Sequence, residues 1–340
     1  MLPENESHSS PRAENPLAAM FRALRRQILT PGVKATQVET RGFHVKTAAS
    51  KDLLETVGRT FLTGYGFAAE ARTVAEAETE LEQVPSRFRG FAYEGAAMGF
   101  AVMDALPLTS GRRVLDALAA RSSQHVYMAY IGVGWALARL PRFLWPDITA
   151  YDPLLRWLLL DGYGFHQAYF HTAKYVGEQF VDGAFSWPDE PASYADRVLD
   201  QGIGRALWFV CGTDAERVCT QIEGFAPRRH EDLYSGAALA ATYAGGVDRE
   251  ELQLLRKRSG EHWPLVAQAS AFAAEARVRA GLVVPHTGVA TEILCGMNPH
   301  EAAELTVRAR PGSAEPQAGV AAYEIWRRQT ADQFVSLGRC

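Results

Sequence analysis

Residues 248–311 read DREELQLLRKRSGEHWPLVAQASAFAAEARVRAGLVVPHTGVATEILCGMNPHEAAELTVRARP, and their punctuation is that of helices. Asp248 followed by Glu251 forms a capping box, in which the two side chains satisfy the first backbone N–H groups of a helix; that helix should stop near Gly260. Pro264 stands in a first turn, where its missing N–H costs nothing, and the run behind it should stop at Gly281. Asn298, Pro299 and Glu301 signal another start, for a helix that must end before Pro311. Upstream, Thr213 with Glu216 predicts a helix ending at Gly224. Successive capped helices with short connections predict an all-α fold.

The rest of the chain extends this pattern. Helices are expected over 51–62, 66–81, 90–106, 112–121 and 126–140, separated by Gly, Pro or Ser. Asp152 and Pro153 start the segment LLRWLLL, Gly162 and Gly164 should interrupt it, and 165–181 should resume it. Only 33–47 (VKATQVETRGFHVKT) alternates as a strand does, and one extended arm makes no sheet.

Composition narrows the class further. A chain of 340 residues, 47% hydrophobic and 22% charged, can bury a large core. Its net charge of -4 offers no concentrated basic face for nucleic acid, so no nucleic-acid partner is expected. The four cysteines form no CxxC pair and no disulfide framework, and no metal centre is expected from them. Residues 1–15 carry acid and no apolar core, which predicts a disordered tail rather than a secretory signal and places the protein in the cytoplasm. The most apolar stretch, 126–145, contains Arg139, Pro141 and Arg142 and reads as a buried core helix. In residues 16–29 an apolar stripe (Met20, Phe21, Leu24, Ile28) opposes Arg22, Arg25 and Arg26. Docking on the protein body is the first expectation for this helix, with a partner or an anionic membrane surface as alternatives.

The sequence also resembles itself. Tyr93-Glu94-Gly95-Ala96-Ala97 is echoed by Tyr234-Ser235-Gly236-Ala237-Ala238, each after a Pro-Arg-rich loop and a comparable upstream helix. This points to a tandem duplication, with helical halves at 51–200 and 201–310, preceded by the helix and arm of 16–50 and followed by an extension, 311–340. Two such halves should be pseudo-symmetric, with a ligand cleft between them. Glycines cluster inside the helices (Gly95, Gly99, Gly132, Gly134, Gly202, Gly204, Gly236). Each costs about 1 kcal/mol relative to alanine, which close helix packing, or room for a bulky ligand, must offset.

No GxSxG elbow, phosphate loop or HExxH helix occurs, so function has to be sought in polar residues on apolar segments. Glu94, within GFAYEGAAMGFA, is the foremost: a buried carboxylate must be paired, hydrogen-bonded or protonated. Pairing with Arg87 or Arg89 is the structural alternative. His166, expected at a helix start among aromatics, suits general acid–base work, and His286 is its counterpart in the second half. Core packing would equally account for such histidines. Tyr93, Tyr163, Tyr234 and Trp135 are candidates to position a substrate. Convergence of His166, His286 and Glu94 or Glu292 would suit a metal, although no local spacing demands one. Glu292, in the apolar run VATEILCG, is a similar but weaker case than Glu94, whereas His230, Glu231, Asp232, His300 and Glu301 read as structural; the sequence does not identify a cofactor.

The phrases LRRQILTPGVKATQVETRGF, RGFAYEGAAMGFA, GVGWALARLP, DGYGFHQAYFH and PHTGVATEILCGM together resemble the UnbL-type proteins, a bacterial family of unknown function known from enediyne polyketide clusters. The resemblance covers about residues 24–308. It implies a role in making a secondary metabolite, beside an iterative polyketide synthase and other proteins of the same cluster, and brings no catalytic residue set. The expectation is an accessory enzyme acting by acid–base chemistry on a hydrophobic, unsaturated polyketide intermediate. Its alternative is a non-catalytic protein that chaperones a reactive polyene or organises partner enzymes.

Overall fold

The computed structural model describes residues 16–107, 111–183, 185–189 and 191–338. The chain begins with α1 (Pro16–Leu29), the single-turn α2 (Val38–Arg41), α3 (Ala48–Glu70), α4 (Val74–Leu81) and α5 (Ser86–Asp104). Next come α6 (Arg113–Leu118), α7 (Val126–Arg139), α8 (Leu158–Phe170), α9 (Ala195–Val210) and α10 (Ala215–Glu223). The last are α11 (Pro227–Ala244), α12 (Arg249–Arg258), α13 (Trp263–Arg279), α14 (Pro285–Cys295), α15 (Pro299–Arg308) and α16 (Ala322–Ser336). No strand occurs among the described residues, and the fold is all-α. The expected tail, 1–15, lies outside them.

Most of the caps behave as read. Both arms of the Asn298–Glu301 box are made, and Gly281 takes the left-handed φ of +66° that ends α13. At Asp248 only one arm of the expected box forms: its side chain accepts from the Glu251 N–H, while the Glu251 carboxylate binds Lys46. One start shifts by a residue: Asp214, not Thr213, caps α10. The arm of 33–47 is not extended. It folds into a 3-10 turn at Val33–Thr36 and then α2, because a lone strand would leave its backbone groups without partners. Farther along, the His44 N–H reaches Val210 O (2.9 Å), and Lys46 Nζ binds Thr213 O, Gly246 O and Glu251. Arg41 donates to the Tyr169 and Phe170 carbonyls at the end of α8. The segment is a strap across the ends of α8, α9 and α11.

Glycines expected to break helices instead sit inside them. Helix α3 runs through Gly64 and Gly66, and α8 through Gly162 and Gly164. The long helices pack in chain order, α3 on α5, then α7, α8, α9, α11, α13 and α15. At each crossing from α3 to α11 a glycine stands where a Cβ would strike a backbone carbonyl of the next helix. Four of these five crossings are reciprocal, as where Gly64 meets Ala92 O while Gly95 meets Phe61 O, and Gly204 meets Leu233 O while Gly236 meets Gln201 O; between α5 and α7 the approach is one-sided, with Gly132 against Glu94 O.

The inner helices use a Gly-x-Gly spacing. Two residues turn a helix by about 200°, so the two glycines lie on opposite faces. Gly132 therefore touches α5 and Gly134 α8; Gly162 touches α7 and Gly164 α9; Gly202 touches α8 and Gly204 α11. Close packing is thus the use of these glycines, and it offsets their local helix cost.

The last described segment is no loose extension. Helix α16 buries Tyr323, Trp326 and Phe334, and its fully buried Arg327 donates to Asp232 (2.7 Å) and Glu324 (3.0 Å). Arg197 joins both carboxylates from α9.

A Gly162→Ala substitution would drive a methyl group into the Ile131 carbonyl. Overpacking of this kind costs about 1–3 kcal/mol or more. Gly288→Ala in α14, where a Cβ meets nothing within 4 Å, should instead gain roughly 0.5–1 kcal/mol. Chemical denaturation of the two variants measures both, and equal effects would sink the close-crossing account.

Candidate functional site

The row of helices encloses a cavity lined by α3, α5, α7, α8, α9 and α11, together with Pro31, Ala35 and Thr36. Both sequence halves contribute. Its walls are apolar, with Leu54, Phe61, Met98, Met128, Phe165 and Leu239 prominent. Its solvent end lies where the lining residues become accessible, at Pro31, Ala35 and Arg139. Its buried end is polar.

Glu94 of α5 and Arg205 of α9 form that end, with Arg205 Nη2 4.0 Å from Glu94 Oε1. Arg205 is committed elsewhere, in a tight ion pair with Asp161 of α8, and its guanidinium stacks on Phe165. Asp161 also accepts from Gln201 Nε2 at 2.7 Å. Glu94 thus shares a cation already neutralised by another acid. Burial disfavours its charge more than Arg205 supports it, and the carboxyl is pushed up to about 7. Asp161 pushes the same way, while the Trp135 indole N–H works weakly against both.

Two polar groups on the cavity wall are buried without a hydrogen-bond partner, Trp135 Nε1 and the Tyr243 hydroxyl. The Trp135 N–H leans toward Glu94 without meeting hydrogen-bond geometry. The Tyr243 hydroxyl lies over the bare Cα of Gly90, one turn before Glu94. Buried orphans of this kind are costly and call for a partner.

His166 also lines the cavity, but from the middle of α8 rather than a helix start. Its ring lies against Trp135 and Phe170, and Nδ1 sits 3.3 Å from Gln167 Oε1, which leaves Nε2 as the acceptor. Burial among aromatics pushes its pKa down to about 3. With its pKa held down in this way the ring is neutral at physiological pH, and Nε2 is available to accept a hydrogen bond or a proton.

Glu94, His166 and Trp135 therefore meet in one cavity, and the other candidates lie elsewhere. His286 opens α14 and holds the end of α11, with Nε2 3.0 Å from Tyr243 O and its ring over Gly245. Tyr93 points to Glu82 (2.7 Å) and stacks on His125, while Tyr234 points to Glu223 (3.1 Å) beside His262. Tyr163 lines a separate pocket with Tyr175, Phe185 and Arg228. Glu292 pairs with Arg249 at the surface, so the histidines and carboxylates weighed for a metal do not converge. Among the described residues no group of three His, Cys, Asp or Glu is placed to hold one. Neither Arg87 nor Arg89, both in the first turn of α5, pairs with Glu94: Arg89 pairs with Glu82 and Arg87 lies over the Phe88 ring. Sequence reading missed Arg205, Asp161 and Tyr243. The first two carry the signal that exposed Glu94, a lone charge in an apolar helix (GIGRALWF, LLLDGYG).

A family model described as "Protein of unknown function (DUF1702)" matches residues 20–334. No curated protein and no solved structure matches the chain.

The state of Glu94 has a measurable consequence. Its folded pKa of about 7 lies above the ordinary 4.5, so between those values the folded chain binds the extra proton. Its contribution to stability is complete below the unfolded pKa and is lost as pH rises through the folded one. At about 1.4 kcal/mol per pKa unit, Glu94→Gln should gain on the order of 3 kcal/mol on wild type between about pH 4 and about pH 9. Parallel pH–stability curves from denaturant titrations of the two proteins would refute the raised pKa.

Proposed function

We propose, for a chain that belongs to the DUF1702 family of unknown function, that the cavity binds an elongated hydrophobic small molecule and that Glu94 transfers a proton to or from it. One observation carries this reading. A single carboxyl poised between its charged and neutral forms, beside a fixed guanidinium and two orphan donors, forms the polar end of an otherwise apolar cavity.

The roles follow from chemistry. The apolar and aromatic walls take up a hydrocarbon or polyene body and exclude water, which strengthens every electrostatic contact inside. An oxygen function of the ligand would meet Trp135 Nε1–H and the Tyr243 hydroxyl, satisfying both. Glu94, protonated as often as not at neutral pH, can give or take a proton there, and a catalytic pKa near the working pH suits either direction. Arg205, anchored by Asp161, steadies negative charge that develops on ligand or Glu94. Neutral His166 supplies an acceptor through Nε2.

The resemblance to UnbL-type proteins supports an unsaturated polyketide intermediate as the molecule, and an accessory enzyme of secondary metabolism as the role. A carrier for a reactive polyene would use the same walls without needing a titrating carboxyl.

In a producing strain, Glu94→Gln should lower product formation at least about 100-fold, the usual loss on removing a general acid or base. The purified variant should stay folded and keep its affinity for an apolar fluorescent ligand. Unchanged product with that variant would remove the proton-transfer role and leave the carrier. With the turnover substrate in hand, the rate should bend near pH 7, falling above it if Glu94 donates and below it if it accepts.

A further inference from the structure

Arg277 of α13 is a buried guanidinium without an acid. It is 1% exposed, and among the described residues no carboxylate pairs with it. Its Nη2 donates to Tyr243 O (2.6 Å) and its Nη1 to Arg87 O (3.0 Å) and Leu282 O (3.4 Å), while Nε has no partner. Carbonyl groups offer partial charges only, so a lone cation held among them is costly. Capping the end of α11 accounts for the bond to Tyr243 O. It does not require the guanidinium to lie against the Tyr243 ring, with its central carbon 4.0 Å from the ring centroid.

Tyr243 lines the cavity and Arg277 does not, so the cation lies behind the ring. The ring is fixed in place: Phe91 meets it edge-on at 5.2 Å, and His286 Nε2 holds its carbonyl at 3.0 Å. Its unpartnered hydroxyl lies against Gly90, where a Cβ would come within 1.9 Å of it. Gly90 and Glu94 are four residues apart on α5 and share a face. The charges of Arg277, Glu94 and Arg205 all bear on the phenol.

We infer, on the cavity reading above, that its ligand is a carbonyl compound from which Glu94 removes a proton, and that Tyr243, backed by Arg277, holds the oxyanion so formed. The Glu94 carboxylate takes the proton from the carbon beside the carbonyl, or from the far end of a conjugated double bond. The C–H electron pair becomes a carbon–carbon π bond, and the carbonyl π pair moves onto oxygen. Returning the proton to a different carbon shifts the double bond, with nothing oxidised or reduced. Charge favours this direction. Asp161 offsets Arg205, so once Glu94 is neutral the unmatched charge at this end is Arg277, and the new anion faces it across a polarisable ring. An alcohol or ether forms no such anion with a carboxylate base. Arg277 is thus a positioning residue, acting through Tyr243.

A hydroxynitrobiphenyl, with its hydroxyl and nitro groups at opposite ends, tests this. Its phenol copies the enol, its anion absorbs differently from the neutral form, and its methyl ether is a control that cannot ionise. Glu94→Gln supplies the neutral group that the carboxyl becomes. Bound to that variant, the phenol should ionise at least about tenfold more readily than in buffer, a shift of about one pH unit. Adding Tyr243→Phe, which removes only an unpartnered hydroxyl, should erase most of the gain. Adding Arg277→Met should do the same, and Arg277→Lys should keep part of it. A shift that survives Arg277→Met overturns the role of Arg277; should that variant fail to fold, a shift that survives Tyr243→Phe overturns the oxyanion site. If the ether binds and the phenol ionises no more readily than in buffer, the carbonyl inference fails while the cavity stands. If neither compound binds, the cavity reading falls and the inference with it.

Discussion

The close approach of helix backbones is the constraint from which the rest of this structure follows. Where Gly132 meets Glu94 O, Gly202 meets Asp161 O and Gly236 meets Gln201 O, the glycine sits against the backbone of a residue whose side chain belongs to the polar cluster. The absence of a Cβ lets the neighbouring helix come in at these points. The tight crossings and the polar cluster are therefore one construction. An added methyl group at such a crossing would change the spacing of Glu94, Asp161 and Arg205 as well as the packing.

That spacing decides the electrostatics. Among the three groups there are two acids and one base, all deeply buried, and the better-placed acid takes the base. Asp161 is in direct contact with Arg205 and receives Gln201 besides, whereas Glu94 stands 4.0 Å away and has only a leaning indole for further support. Desolvation therefore falls on Glu94. The network near α16 shows the opposite outcome in the same protein. There Glu324 has Arg327, Arg197 and Arg328 around it, and its pKa is held down to about 2 even though burial works against it. Burial alone does not make a titrating carboxyl; shortage of cations does.

Helix ends were legible in the sequence because capping is local. Asp248, Pro264, Asn298 and Gly281 act on backbone groups within a turn of themselves, so their meaning survives folding. The interior glycines were misread at 64, 66, 162 and 164 for the opposite reason: their local cost is visible in sequence, whereas the neighbouring carbonyl that offsets it is far away in the chain. Glu94 was legible because an isolated charge in an apolar run is conspicuous. His166 was found by its aromatic surroundings, but those surroundings also strip it of its charge. His286 and the tyrosines went astray because a helix face fixes direction only once the neighbouring helices are known. Tyr93 is next to Glu94 in sequence and about 100° from it around the helix, far enough to face α4 and Glu82 instead.

The similarity between the two segments adds a last step. Tyr93 reaches Glu82 and Tyr234 reaches Glu223, each eleven residues back. Gly64 meets the carbonyl before Tyr93, and Gly204 the carbonyl before Tyr234. At matching places in these two similar segments, the groups of the polar cluster are not repeated. Ser235 stands where the first segment has Glu94, and Tyr65 stands where the second has Arg205. The acid comes from one segment and the base from the other, and their counterparts carry no charge at neutral pH. A framework of two similar parts thus yields a single, asymmetric polar centre, at the side where α5 and α9 both face the cavity. With one acid, one base and Asp161 to hold the base, proton transfer is confined to one end of whatever molecule lies in the cavity, and the remaining wall is left to select its apolar body.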